Sequence, residues 1–154
     1  MKKLGILLSM LFIFACAESN NSSANDESGL KWYGTIEEAV QVASSENKQI
    51  LVQFTGSDWC KWCIKLNNEV FYQDDFETYA KKNMVLVKLD FPRSVPQSDA
   101  VKEYNRSIAT KYGVRGFPTI LLMDKEGNVV LQTGYQPGGA KAYVDHIKEA
   151  YKAS

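Results

Sequence analysis

The sequence contains few of the side chains that bind metals. It has one histidine, His146, and three cysteines among its 154 residues. A structural zinc site takes four nitrogen or sulfur ligands, often from two cysteine pairs. We therefore expect no metal site, and we interpret His146 as a structural residue of the last helix.

An excess of charge of either sign is also missing. Lysine plus arginine and aspartate plus glutamate are both 18, so the formal net charge at pH 7 is zero. This balance gives no electrostatic reason to expect a nucleic-acid partner. The length supports one domain with a hydrophobic core and not two.

No apolar run is long enough to span a bilayer. The apolar stretch at residues 4–14 follows Lys2 and Lys3, and a membrane-spanning helix needs about 20 apolar residues. A positive segment followed by a short apolar one is typical of a secretory signal. We expect residues 1–17 to be a signal peptide, and the protein to be exported to the periplasm or the outer cell surface.

The cysteine at the end of this signal fits two kinds of processing. Residues 13–16 resemble the lipobox of bacterial lipoproteins, in which Cys16 is lipidated and anchors the chain to a membrane. Ala15-Cys16-Ala17 also fits the A-x-A site of ordinary signal peptidase. We favour the lipoprotein, because a cysteine placed directly after such an apolar stretch is otherwise uncommon. On either interpretation, Cys60 and Cys63 are the remaining pair.

The next segment is polar, and the domain follows it. Residues 18–28 contain a single alanine among polar side chains, so they cannot bury enough apolar surface to become ordered. We expect residues 18–30 to be a disordered tether and residues 31–154 to be one domain.

Hydrophobic periodicity and turn residues predict an α/β domain. Apolar runs predict strands at 49–55, 84–90, 119–123 and 129–134. Helices are expected after the capping box at 35–38, after the cysteine pair, and at 74–80, 100–112 and 139–151. The alternation of helices with the first strands implies parallel pairing, and the hairpin at 124–128 adds an antiparallel edge. The prediction is a central mixed β-sheet with helices on both faces.

A pair of cysteines follows the first of these strands, in the segment Trp59-Cys60-Lys61-Trp62-Cys63. The pair lies at the start of a predicted helix, where backbone N–H groups and the helix dipole favour a thiolate. A thiolate two residues from a second thiol can attack a disulfide and then be released by its neighbour. The pattern therefore indicates a redox dithiol.

Two structural interpretations of this pair stay open. Cys60 and Cys63 could form a purely structural disulfide, although so small a loop constrains the unfolded chain little. They could also be two ligands of a zinc ion, for which only His146 remains as a third soft ligand.

The cysteine pair together with the segment 113–119, Gly-Val-Arg-Gly-Phe-Pro-Thr, resembles the thioredoxin fold. The resemblance covers residues 32–152, and the segment 54–63 is most similar to exported bacterial thioredoxin-like and thiol:disulfide interchange proteins. It implies that Cys60 is the nucleophile and Cys63 the resolving thiol. It also implies that Pro118 is a cis-proline and that the backbone of Phe117 contacts the substrate.

The resemblance further implies a thiol:disulfide oxidoreductase that needs no cofactor. Its partners would be cysteine-containing client proteins and a thiol protein that donates or accepts electrons. Trp59 corresponds to a tryptophan at the active-site rim of the family, and Lys61 and Trp62 are further candidates for substrate contact. Lys61 next to Cys60 favours the thiolate.

Two departures from the family pattern leave the function open. Gln53 stands where thioredoxins carry a buried aspartate, and Lys88, a candidate for tuning the pKa of the thiols, could then lack its carboxylate partner. The second departure is the pair Lys61-Trp62, which stands in place of the Gly-Pro of cytosolic thioredoxins. Asp58 fits either a tuning role or a turn that caps the next helix. We favour a reductase of client disulfides over an oxidase or isomerase, and over a membrane-tethered binding module with an inert disulfide.

Overall fold

The computed structural model describes residues 24–25 and 29–153. The predicted signal peptide, including Cys16, and most of the predicted tether lie outside these residues. Within the tether segment, strand β1, Ala24–Asn25, pairs with strand β2, Lys31–Tyr33. In the described part of the chain, no helix has both the length and the apolar character that crossing a membrane requires.

Helices and strands then alternate along the chain. They are α1 Ile36–Glu46, β3 Gln49–Thr55, α2 Lys61–Leu66, a π-helical turn Asn67–Phe71, α3 Asp74–Asn83, β4 Met84–Asp90, α4 Asp99–Lys111, β5 Thr119–Met123, β6 Val129–Thr133 and α5 Gly139–Lys152.

The strands form one mixed sheet in the order β1-β2-β4-β3-β5-β6. β2, β4 and β3 are parallel to one another, β5 is antiparallel to its neighbours β3 and β6, and β1 is antiparallel to β2. The predicted parallel pairing and antiparallel edge are confirmed. β2 was not predicted, because three residues are too few to show an alternating pattern.

Each face of the sheet has its own apolar core, so helices cover both faces as predicted. α2, α3, α5 and the π-helical turn cover the face of Leu51, where the largest buried side chains include Trp32, Phe71, Phe76 and Tyr143. α1 and α4 cover the opposite face, which buries Ile50, Val52, Phe54, Val87, Leu89 and Leu121.

Local signals fix where the helices begin and end. The hydroxyl of Thr35 accepts the N–H of Glu38 at 3.4 Å at the start of α1, as the capping box predicts. Ser98 caps α4 in the same way. Gly113 follows α4 with a φ of 63°, a conformation that glycine adopts without strain. The antiparallel register of β3 and β5, with Phe54 opposite Thr119, places the loop after β3 and the loop before β5 at the same end of the sheet.

Candidate active site

The two cysteines form a disulfide at the start of α2, with Cα atoms 5.2 Å apart. A turn after β3 brings them there, and the N–H of Cys60 donates to the carbonyl of Gly56 at 2.9 Å. Cys60 is the N-cap of α2, and its sulfur accepts the N–H of Cys63 at 3.3 Å. Cys60 is 7% exposed and Cys63 is 0% exposed, so Cys60 is the one cysteine of the pair that retains exposed surface.

The loop before β5 lies against this segment. Its Phe117-Pro118 peptide bond is cis, as the resemblance implies. The ring of Phe117 packs edge-on against Trp59, with centroids 6.0 Å apart, and stacks on Phe91 at 4.9 Å. The structure therefore brings together the two motifs that carry the resemblance.

Trp59 is half-buried and held from several sides. Its indole Nε1 donates to the carbonyl of Phe91 at 2.8 Å, and the guanidinium of Arg93 lies 3.8 Å from the ring centroid. A Cβ at Gly56 would lie 2.5 Å from the indole. The absence of a side chain at Gly56 therefore determines how closely the indole can approach the turn after β3.

Asp58 supports the loop that carries Arg93. Its carboxylate accepts the backbone N–H groups of Arg93 at 3.0 Å and of Ser94 at 2.6 Å. These hydrogen bonds, that from Arg93 first, lower the pKa of Asp58. Asp58 therefore fixes the neighbouring loop, and no hydrogen bond to the dithiol is among its contacts.

Trp62 lies on the other side of the dithiol and is exposed. The residue is 56% exposed, and its ring packs against Tyr135, with centroids 5.3 Å apart. The ammonium of Lys65 lies 5.2 Å from the Trp62 centroid and 5.1 Å from the Tyr135 centroid. We call Lys61, Trp62, Lys65 and Tyr135 the tryptophan platform.

The platform is tied to the body of the protein through Glu69. Tyr135 donates its hydroxyl hydrogen to this carboxylate at 2.6 Å, and Lys65 lies 3.7 Å from it. The hydrogen bond to Glu69 raises the pKa of Tyr135. Sequence analysis missed Tyr135 and Lys65, since residues 62 and 135 are far apart in the chain and only the fold brings them together.

A polar layer lies between α2 and the sheet. Gln53 is fully buried, and its Nε2 donates to Asn67 Oδ1 at 2.8 Å. Within the described part of the chain, Gln53 Oε1 and Thr55 Oγ1 have no hydrogen-bond partner. Thr55, Asn67, Lys88 and neighbouring residues line a cavity of about 160 Å³.

Lys88 also contacts the core on the face of Leu51. Its ammonium lies 4.8 Å from the centroid of Trp32, while Asp90, two residues further along β4, accepts the backbone N–H and the hydroxyl of Ser57. The predicted role of Lys88 in tuning the thiols stays a prediction.

His146 is part of α5 and is remote in sequence from both motifs. Its Nε2 lies 3.2 Å from Thr133 Oγ1, and its ring lies edge-on to Tyr143 at 6.0 Å. Among residues 24–25 and 29–153, no group of three or more histidine, cysteine, aspartate or glutamate side chains is placed to hold a metal ion.

Known proteins are similar to this chain in sequence and in architecture. A family model described as the thioredoxin-like domain matches residues 36–148. The chain is 35% identical over 123 residues to the disulfide bond reductase DsbH of Chlamydia pneumoniae, covering 80% of this chain and 74% of the relative. It is 23% identical over 134 residues to the thioredoxin-related protein DsbJ of the same organism, covering 87% of this chain and 38% of that protein.

Solved structures of related proteins are also similar to this chain. The structure of a DsbH oxidoreductase has a TM-score of 0.75 and 32% identity, and covers 98% of this chain and 96% of its own. A thioredoxin from Thermus thermophilus, 16% identical, has a TM-score of 0.58 over 78% of this chain and 85% of its own, and shows the fold alone. The predicted fold and superfamily are confirmed: this chain belongs to the thioredoxin-like family and is a thiol:disulfide oxidoreductase.

Proposed function

We propose that the protein reduces disulfide bonds in exported partner proteins. The observation that carries this proposal is that Cys60 and Cys63 differ in exposure and in hydrogen bonding. Cys60 reaches the surface and accepts the N–H of Cys63, while Cys63 is fully buried behind it. A hydrogen bond to the sulfur favours its thiolate form, so Cys60 attacks and Cys63 resolves. The similarity to a disulfide bond reductase supports the direction.

The reaction balances as two thiol–disulfide exchanges. The Cys60 thiolate attacks one sulfur of the client disulfide, a bond forms between them, and the second client sulfur leaves as a thiolate. The Cys63 thiolate then attacks the sulfur of Cys60 and displaces the first client sulfur. The client gains two electrons and two protons, the Cys60–Cys63 disulfide forms, and a donor thiol protein must reduce it again.

The surroundings of the dithiol support this role. The cis peptide before Pro118 and the ring of Phe117 lie next to Trp59, where a client backbone could pair alongside Cys60. Gln53 cannot titrate, so the proton of Cys63 needs another acceptor. The cavity lined by Thr55, Asn67 and Lys88 offers polar atoms that can hold water for this step.

Trapping of clients tests the proposal. A Cys63→Ser variant retains the nucleophile and lacks the resolving thiol, so mixed disulfides with clients should accumulate in cells. Cys60→Ser is the matched control and should trap none. The absence of complexes that are sensitive to a reducing agent in Cys63→Ser cells would contradict the proposal.

One observation favours a second function, binding without redox turnover. The position beneath the dithiol holds a fully buried amide, Gln53, which cannot accept the proton of Cys63. On this alternative the double variant Cys60→Ala/Cys63→Ala still binds its partner, and the wild-type protein does not reduce a small disulfide. Loss of partner binding in the double variant would exclude it.

We further propose that the protein is exported and anchored through lipid on Cys16, with residues 18–30 as a tether. The signal-like leader and the lipobox-like segment support this proposal. Mass spectrometry of the purified protein tests it, because lipidation adds acyl chains to an N-terminal Cys16, whereas ordinary cleavage yields an unmodified chain that begins after Ala17.

A further inference from the structure

The tryptophan platform stands where a client segment must pass. Lys61 and Trp62 are the two residues between the cysteines, and both are exposed. The close approach of Gly134 to the carbonyl of Pro118 places the following residue, Tyr135, beside the cis-proline loop. A polypeptide whose sulfur reaches Cys60 therefore lies within reach of the platform.

The platform is pre-organised. Trp62 packs against Tyr135, Lys65 lies over both rings, and the Tyr135 hydroxyl is bonded to Glu69. An aromatic ring that is already fixed loses little conformational entropy when a client binds. Trp62 is 56% exposed in spite of these contacts, which leaves a large part of the ring available to an apolar side chain.

The charge around the dithiol is positive. Lys61 forms no ion pair with any residue in the described part of the chain, and the first turn of α2 has no acidic residue. Two carboxylates lie nearby and stay charged: Asp58 accepts backbone N–H groups of the Arg93 loop, and Glu69 accepts the Tyr135 hydroxyl and pairs with Lys65. Arg93 and Arg115 are exposed in the two flanking loops.

We propose that the tryptophan platform selects client segments that carry an acidic side chain next to the reactive cysteine. The carboxylate pairs with Lys61 and lies near Lys65, which also pairs with Glu69, and an apolar side chain of the same segment lies on Trp62. Charge complementarity of this kind raises the rate of encounter and sets specificity more than it raises affinity. This inference rests on the proposed function, because it names the clients of the same dithiol.

A single-turnover assay tests the selectivity. Three short peptides differ only in the residues that flank one cysteine, which are aspartate, asparagine or lysine. Each peptide is joined to 2-nitro-5-thiobenzoate through a disulfide. The Cys60 thiolate of the full-length Cys63→Ser protein attacks the peptide sulfur, the Cys60–peptide disulfide forms, and coloured thionitrobenzoate leaves and is measured.

The aspartate peptide should react about fivefold faster than the asparagine peptide at low salt, the ratio expected for one pair of unit charges about 4 Å apart in water, and the lysine peptide should react more slowly than both. The ratio should fall toward one in about 1 M salt, where the Debye length is about 3 Å. In a Lys61→Gln/Lys65→Gln variant the ratio should also fall. The matched control Lys152→Gln, at the end of α5, should preserve it.

Two readouts separate the possible failures. A change in the Cys60 pKa caused by Lys61→Gln alters all three rates equally, so it leaves the ratio unchanged. Equal rates for the three peptides, or faster reaction of the lysine peptide, would overturn the selectivity proposal. Failure of the wild-type protein to reduce bis(2-hydroxyethyl) disulfide, which is small and uncharged, would instead overturn the proposed function.

Discussion

Gly56 lies directly beneath the indole of Trp59. A Cβ at position 56 would lie 2.5 Å from Trp59 Cε2 and 2.8 Å from Cζ2, which is closer than heavy atoms can approach. The ring cannot move away freely, because it also contacts the Phe117 ring, the Phe91 carbonyl and the Arg93 guanidinium. The absence of a side chain at Gly56 therefore determines where the active-site tryptophan lies.

Gly56→Ala should displace Trp59 and break its hydrogen bond to Phe91. We expect a loss of about 1–3 kcal/mol of unfolding free energy, the usual cost of forcing an extra methyl group into a packed site. Urea unfolding and tryptophan fluorescence measure the two effects. Gly116→Ala is the matched control, because a Cβ there meets no atom within 4 Å. Equal stability of the two variants would contradict the close approach.

Asp58 should make the stability depend on pH at acidic pH. Its pKa is lowered in the folded protein, first by the N–H of Arg93 and then by that of Ser94. A lowered pKa adds stability that is present above the unfolded-state value of about 4 and is lost as the pH falls through the folded-state value.

Comparison with Asp58→Asn measures this effect. The variant should have a lower melting temperature than the wild type at pH 7, and the difference should shrink as the pH falls below about 4. Asp145→Asn, on α5, is a control for the same change of charge. A difference between wild type and Asp58→Asn that stays constant from pH 7 to pH 2 would contradict the assignment.

Gln53→Glu tests how Lys88 is placed. The new carboxyl would be buried, so its pKa should rise above the unfolded-state value of about 4.3. A raised acid pKa means that the variant loses stability, relative to wild type, as the pH rises from about 4 toward 8. Urea unfolding at several pH values measures this loss, and Gln132→Glu on the exposed face of β6 is the control.

The opposite result would also be informative. If the stability of Gln53→Glu does not fall as the pH rises, an ammonium group must pair with the new carboxylate. Lys88, opposite Gln53 in the β3–β4 register, is the candidate. That outcome would contradict the position of its ammonium over Trp32 as the preferred one.

The central strands and the dithiol could be predicted from the sequence for a physical reason. β3, β4 and β5 are continuous apolar runs bounded by turns, and they occur at the predicted residues. The helix after the dithiol was predicted as one regular helix. It ends in a π-helical turn at Asn67–Phe71, and Leu66 and Val70 are both buried in the core on the face of Leu51.

Contacts between distant segments could not be predicted in this way. Tyr135 packs on Trp62 only because β5 and β6 return the chain to the dithiol, and no local pattern records that approach. The environment of Trp59 depends likewise on Phe91 and Arg93, which follow another strand. The family resemblance implied the cis-proline and the two thiol roles, but the tryptophan platform and the function of Gly56 required the three-dimensional arrangement.

The most direct test of the account is the reduction potential of the Cys60–Cys63 pair. The protein is equilibrated in glutathione buffers, its redox state is followed by tryptophan fluorescence, and thiol labelling checks the end points. A reductase predicts a potential near or below about −220 mV. A potential of about −180 to −120 mV would contradict the account and would indicate an oxidase or isomerase.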